Sequence, residues 1–157
     1  MSAMLLHILH QLLLGAFAAA GFGVLFNAAP RDLLWCAAGG AVALTVRTIC
    51  QDFVLSLEAS SFIAAIVVTS CTAGPLRRVL GSAASRIAVA GCIPMVPGAF
   101  FAQALLGLFA LTAPTTTSVD PAVLANTVVA MMRVVFAVGG IGAGIAIPLT
   151  LLRPHEF

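Results

Sequence analysis

The chain reads as an all-α integral membrane protein of about five transmembrane helices, on three observations. First, 62% of its residues are hydrophobic and only 8% are charged, whereas a soluble domain carries about 25% charge. Second, its mean hydropathy is +1.17, so lipid rather than water is the natural solvent for its surface. Third, its apolar residues form continuous runs approaching the roughly 20 residues that a helix needs to cross a bilayer core of about 30 Å. A membrane β-barrel would show short alternating segments instead, and only helices and closed barrels satisfy their own backbone in lipid. At 157 residues the chain is one transmembrane domain, 1–157.

The first run, Met4–Phe26, resembles a signal peptide in position only. It has His7 and His10 but no Lys or Arg before Arg31, and it is longer than a usual signal core, so it reads as a retained helix. The second and third runs, Leu33–Cys50 and Ala59–Gly74, are short. A tilted or partly re-entrant segment is therefore expected among them, with four spans as the fallback. The fourth run, Ile87–Leu111, contains Ile93-Pro94-Met95-Val96-Pro97-Gly98. Each proline removes an N–H and crowds the preceding turn, so the helix should break there. The fifth run, Val123–Leu149, opens on Asp120–Pro121, a cap followed by a favoured first residue.

Charge then sets an expected orientation. With five spans, Arg31, Arg77, Arg78, Arg86 and Arg153 fall on one side, and Arg47, Asp52, Glu58 and Asp120 on the other. Positive loops mark the cytoplasm. The N-terminus is expected outside, the C-terminus inside, Pro75–Arg86 as the main cytoplasmic turn and Thr112–Pro121 as an outer turn, all in an inner or plasma membrane.

Several function classes recede. Cys36, Cys50, Cys71 and Cys92 have no metal or CxxC spacing and read as small packing residues. The three histidines are dispersed, so neither a metal nor any other cofactor is expected. Seven basic residues, all Arg, are too few for nucleic-acid binding. Gly-Gly-Ile-Gly-Ala-Gly at 139–144 sits inside an apolar helix and follows no strand, which excludes a dinucleotide loop. No HExxH, intramembrane Asp pair or Ser–His arrangement suggests an enzyme.

The residues left with chemistry are few. Broken helices in transporters aim N–H groups and a positive dipole end at anionic groups. Pro94, Pro97 and Gly98 are thus candidate pathway residues, or else a kink that sets packing. Arg133 lies about ten residues into the fifth helix, roughly 15 Å deep. A charge there is costly and is not shed as a proton. It needs an anion, a partner's carboxylate or a route to the interface. Gln103 and Asn126 are the amides of the last two runs, suited to a substrate or to bridging helices. Arg47 is most simply explained by a surface pair with Asp52, of little energetic weight. Gly140 and Gly144, at GxxxG spacing, with Ala16/Ala20 and Gly39/Ala43, mark faces where backbones approach closely. Whether those faces meet within a chain or between copies is open, so a homo-oligomer is one outcome.

Gly21–Gly40, GFGVLFNAAPRDLLWCAAGG, resembles the first-loop signature of the threonine/serine exporter family, and Ile93–Gly98 resembles its Pro-rich membrane motif. The chain length is similar to that of the family's small-subunit, YjjB-type branch. The resemblance carries over Asn27, Pro30, Arg31, Trp35, Pro94, Pro97 and Gly98 as family-motif positions. It implies a larger YjjP-type partner subunit and export across the inner membrane driven by an ion gradient. It also implies a small carboxylate cargo, succinate in the two-subunit branch, or threonine and serine in the fused one. A non-transporting assembly subunit is the competing reading. No carboxylate or His lies near midplane here, so a proton relay would belong to the partner.

Overall fold

Seven α-helices and two short 3-10 turns follow one another in the computed structural model, which describes residues 2–112 and 120–152. No strand occurs among the described residues. The helices are α1 (Ser2–Leu25), α2 (Pro30–Asp52), α3 (Leu57–Ala73), α4 (Arg77–Leu80), α5 (Ala84–Cys92), α6 (Gly98–Thr112) and α7 (Pro121–Leu151). The 3-10 turns are Gly81–Ala83 and Ile93–Met95.

Local chemistry places the boundaries. After α1, Asn27 takes a left-handed φ of 53°, a conformation that Asn tolerates better than most residues. Its N–H bonds Val24 O, and that of Ala28 bonds Gly23 O, which satisfies carbonyls at the helix end. Ala29 then caps α2, with Pro30 as the first helical residue. Ser56 caps α3, its hydroxyl accepting from Ala59 N–H at 3.2 Å. Asp120 caps α7 through Ala122 N–H at 2.8 Å, with Pro121 next, as the sequence implied. The expected turn Thr112–Pro121 lies mostly outside the described residues, as does Arg153.

α1 and α2 form an antiparallel hairpin whose backbones touch where Gly15 meets Gly40, each so close that a side chain on either would collide with the other's carbonyl. α5 packs into the groove beside this hairpin and α3. A Cβ on Gly91 would lie 3.0–3.3 Å from the Gly39–Gly40 backbone. Ala43, Ala64, Ala65, Val68, Cys92, Met95 and Ile141 make one core, and Cys36, Leu80, Ala83, Ala84, Ile87 and Ala90 a second. Alanine is the commonest residue in both, as suits helices that associate by close approach rather than by expulsion of water.

α7 divides its packing. Its C-terminal half runs along α3, with Gly140 against Glu58 O and Phe62, and Gly144 against Ala65 and Phe62 O. Its N-terminal half pairs with α6, where Gly107 receives Thr127. Phe17, Leu25, Leu34, Phe109, Val135 and Phe136 are each at least 64% exposed, an outward face for lipid or for other helices.

Among the described residues three helices are long and apolar enough to cross a membrane: Met4–Leu25, Pro30–Asp52 and Pro121–Leu151. A fourth crossing is available from Leu57–Ala73 with Arg77–Met95, a pair bent by 61°. The count of about five is thus roughly met. The difference lies in the fourth apolar run. α5 joins α3 in the bent pair, and Gly98–Thr112 is left as a shorter apolar helix.

One end of the bundle gathers the arginines. Arg77 Nη1 donates to Leu152 O at 3.2 Å, which sets α4 beside the end of α7. The second core also holds Phe22 and Leu76, which ties this region to the α1–α2 turn. Arg31, Arg77, Arg78 and Arg86 therefore share that end, while Arg47, Asp52 and Glu58 lie toward the other.

Candidate functional site

The proline motif breaks the chain as its chemistry requires. Pro94 stands in the 3-10 turn, and Val96 is extended (φ −59°, ψ 128°), the conformation that a following proline favours. Pro97 has no N–H to give Ile93 O, and Val96 N–H takes that carbonyl instead at 2.9 Å. α6 starts at Gly98, whose missing side chain would meet open space. Pro97 itself is buried. In a continuous helix Met95 O would accept from residue 99. Here it accepts from Arg47 Nη1 at 2.8 Å, across 48 residues of sequence.

That bond corrects the reading of Arg47. The expected Arg47–Asp52 pair is not formed. The described residues hold one salt bridge, the loose Arg31–Asp32 contact at 3.7 Å. Arg47 is half-buried and turns inward because a freed carbonyl needs a donor. It lines a cleft of about 410 Å³ with His7, Gln11, Thr48, Gln51 and Pro94.

A second cleft, of about 510 Å³, lies between α6 and α7, and Gln103, Asn126 and Arg133 line it. The Arg133 guanidinium lies 5.0 Å from the centre of the Phe100 ring, within the range of a cation–π contact. Phe100 belongs to the first turn of α6, so Arg133 and the positive end of that helix face the same space. Gln103, Asn126 and Arg133 are all exposed.

The candidate residues therefore fall into two groups. Gln103 and Arg133 come together, with Asn126. Pro94 lines the other cleft, and Pro97 and Gly98 lie on the link between the two. Of the first-loop residues, Asn27 makes the left-handed turn, Pro30 starts α2, Arg31 is 89% exposed and Trp35 borders an apolar groove with Val68, Leu76 and Ile87. Gly140 and Gly144 face α3. Sequence reasoning missed His7, Gln11 and Gln51 as a set with Arg47. Their spacing carries no motif, and only the α1–α2 hairpin assembles them. No group of three or more His, Cys, Asp or Glu able to hold a metal occurs among the described residues.

Known proteins resolve what this architecture is. The model of the family described as "Threonine/Serine exporter, ThrE" matches residues 11–151. The chain belongs to the threonine/serine exporter family. The match contains both the first-loop and the Pro-rich segments on which the resemblance rested. This exporter-family chain is also 25% identical over 144 residues to an uncharacterized protein of Haemophilus influenzae (strain Rd), covering 92% of the chain and 47% of that relative. The chain thus spans about half the length of this relative. No solved structure matches it.

Proposed function

We propose that this exporter-family chain is the smaller membrane unit of a two-component exporter that moves small carboxylates, succinate foremost, out across a bacterial inner membrane. The observation that carries the reading is the family match over residues 11–151. A broad exposed apolar face supports a larger partner subunit that completes the pathway. The arginine-rich end supports a cytoplasmic C-terminus and an outside N-terminus. The cargo's carboxylate is assigned to the α6–α7 cleft, where Arg133, Gln103, Asn126 and the start of α6 offer charge and hydrogen-bond donors. The Pro94–Gly98 break lets that start of a helix exist at membrane depth. Threonine and serine are the alternative cargo.

Cells expressing the chain with and without the larger partner, loaded with labelled succinate or threonine, test this. Export needing both chains, and lost in Arg133→Gln while the complex survives on a native gel, is the expected outcome. Full export by this chain alone sinks the two-component reading. One observation favours a second role: Arg133 is exposed among apolar residues that suit a protein partner. Loss of the complex in Arg133→Gln would make Arg133 an assembly residue and move the cargo site elsewhere.

A further inference from the structure

We infer that the cleft between α1, α2 and the Pro94 turn is a carboxylate-binding site, with Arg47 as its anion receptor. The inference rests on the reading that the cargo carries a carboxylate, and it assigns to that cargo a site apart from the α6–α7 cleft.

The cleft's charge is unbalanced. Its lining residues come from three elements: His7 and Gln11 on α1, Arg47, Thr48 and Gln51 on α2, and Pro94 on the turn, with only apolar residues besides. None is acidic. Arg47 carries a fixed positive charge and has no ion pair among the described residues. It sits five positions before the end of α2 at Asp52, about 7 Å along the helix axis. Cations within membrane helices pair with carboxylates or backbone carbonyls, and among the described residues Arg47 has only a carbonyl.

Its donors are not used up. A guanidinium has five N–H groups, and one bond, to Met95 O, is made. That bond fixes the head beside the cleft, so little side-chain freedom remains to be lost when an anion arrives. Gln11 and Gln51 add amide groups to the lining. The Thr48 hydroxyl already donates to Leu44 O at 2.8 Å, which leaves its oxygen as an acceptor. The volume, about 410 Å³, lies in the range of small-ligand pockets.

The bond to Met95 O gives the site a mechanical consequence. That carbonyl is the last of the 3-10 turn that separates α5 from α6. An anion that draws Arg47 Nη1 away leaves Met95 O without its donor and loosens the break. Occupancy of the cleft is therefore linked to the geometry of α6, and through it to the α6–α7 cleft.

The test is phenylglyoxal modification of the wild-type full chain in zwitterionic nanodiscs, read at each arginine by mass spectrometry. Succinate at ten times its dissociation constant should slow modification of Arg47 about tenfold, as one-site occupancy requires, with exposed Arg31 unchanged. Arg133→Gln should keep this protection. In calorimetry with succinate, Gln11→Leu should weaken binding, and Arg47→Lys should weaken it more, since Lys keeps the charge without the fork. Modification of Arg47 unaffected by succinate overturns the inference and leaves Arg47 as a structural tie. Protection by added phosphatidylglycerol but not by succinate overturns it in favour of a lipid headgroup. The reading is made on protein rather than on transport, so export in cells without protection sinks the site alone. Protection without export sinks the exporter reading instead.

Discussion

At the scale of single residues, glycines and one arginine decide how the helices meet. Gly144 is buried, and a Cβ there would lie 2.7 Å from Ala65 Cβ and 2.8 Å from Phe62 O, a backbone atom that cannot swing aside. Gly144→Leu should therefore destabilise the fold by about 1–3 kcal/mol through overpacking, seen as a lower unfolding midpoint in detergent. Gly142→Leu, whose Cβ meets nothing within 4 Å, should leave that midpoint unchanged. Both glycines lie in one Gly-rich string, and the GxxxG spacing singled out 140 and 144 before any contact was known. Arg47 was not legible in the same way. Its neighbour in sequence is Asp52, and nothing local announces an acceptor 48 residues on. The demand for that donor arises only because the chain breaks at Val96–Pro97, in a different helix, and carries residue 99 away from Met95 O.

At the scale of elements, the spans and the break could be read from hydropathy and from proline chemistry, but the partners of each helix could not. In water an apolar stripe tells which face is buried. Here nearly every face is apolar, and the signal that separates core from surface vanishes. That is why α5 was read together with α6 as one interrupted span, although it pairs with α3 in a bent crossing. It is also why sequence alone does not tell that Arg133 and Pro94 line different clefts. The break itself is testable. Replacing both Pro94 and Pro97 by Ala restores two N–H donors and lets Ile93–Gly98 continue as a helix. Met95 O then finds its donor in its own helix, and Arg47 loses its acceptor. Helix content by circular dichroism should be kept or rise, while export falls by about an order of magnitude. Unchanged export would make the prolines a packing kink alone.

At the scale of the whole molecule, the charge asymmetry and the uneven packing belong together. The end that carries Arg31, Arg77, Arg78 and Arg86 is also where α4, the α1–α2 turn and the end of α7 converge. Alkaline phosphatase fused in the Val54–Ser56 turn should be active, and fused at Ser82 inactive, when colonies are scored for periplasmic activity. The opposite pattern would invert the proposed orientation. α7, with 31 residues, is about 46 Å long at 1.5 Å per residue. That exceeds a bilayer core of about 30 Å, so it must tilt steeply or project. Its N-terminal half, paired with α6 alone, is the part left over.

The tie between Arg47 and Met95 also sets an order of events at the ribosome. α2 emerges and enters the bilayer while its acceptor is still 48 residues from being made. At about 5–20 residues per second, that interval is about 2–10 seconds. During it the guanidinium has to stay wetted at the interface or inside the insertion machinery. The α1–α2 hairpin reaches its final depth only once the proline turn has been translated and can receive it.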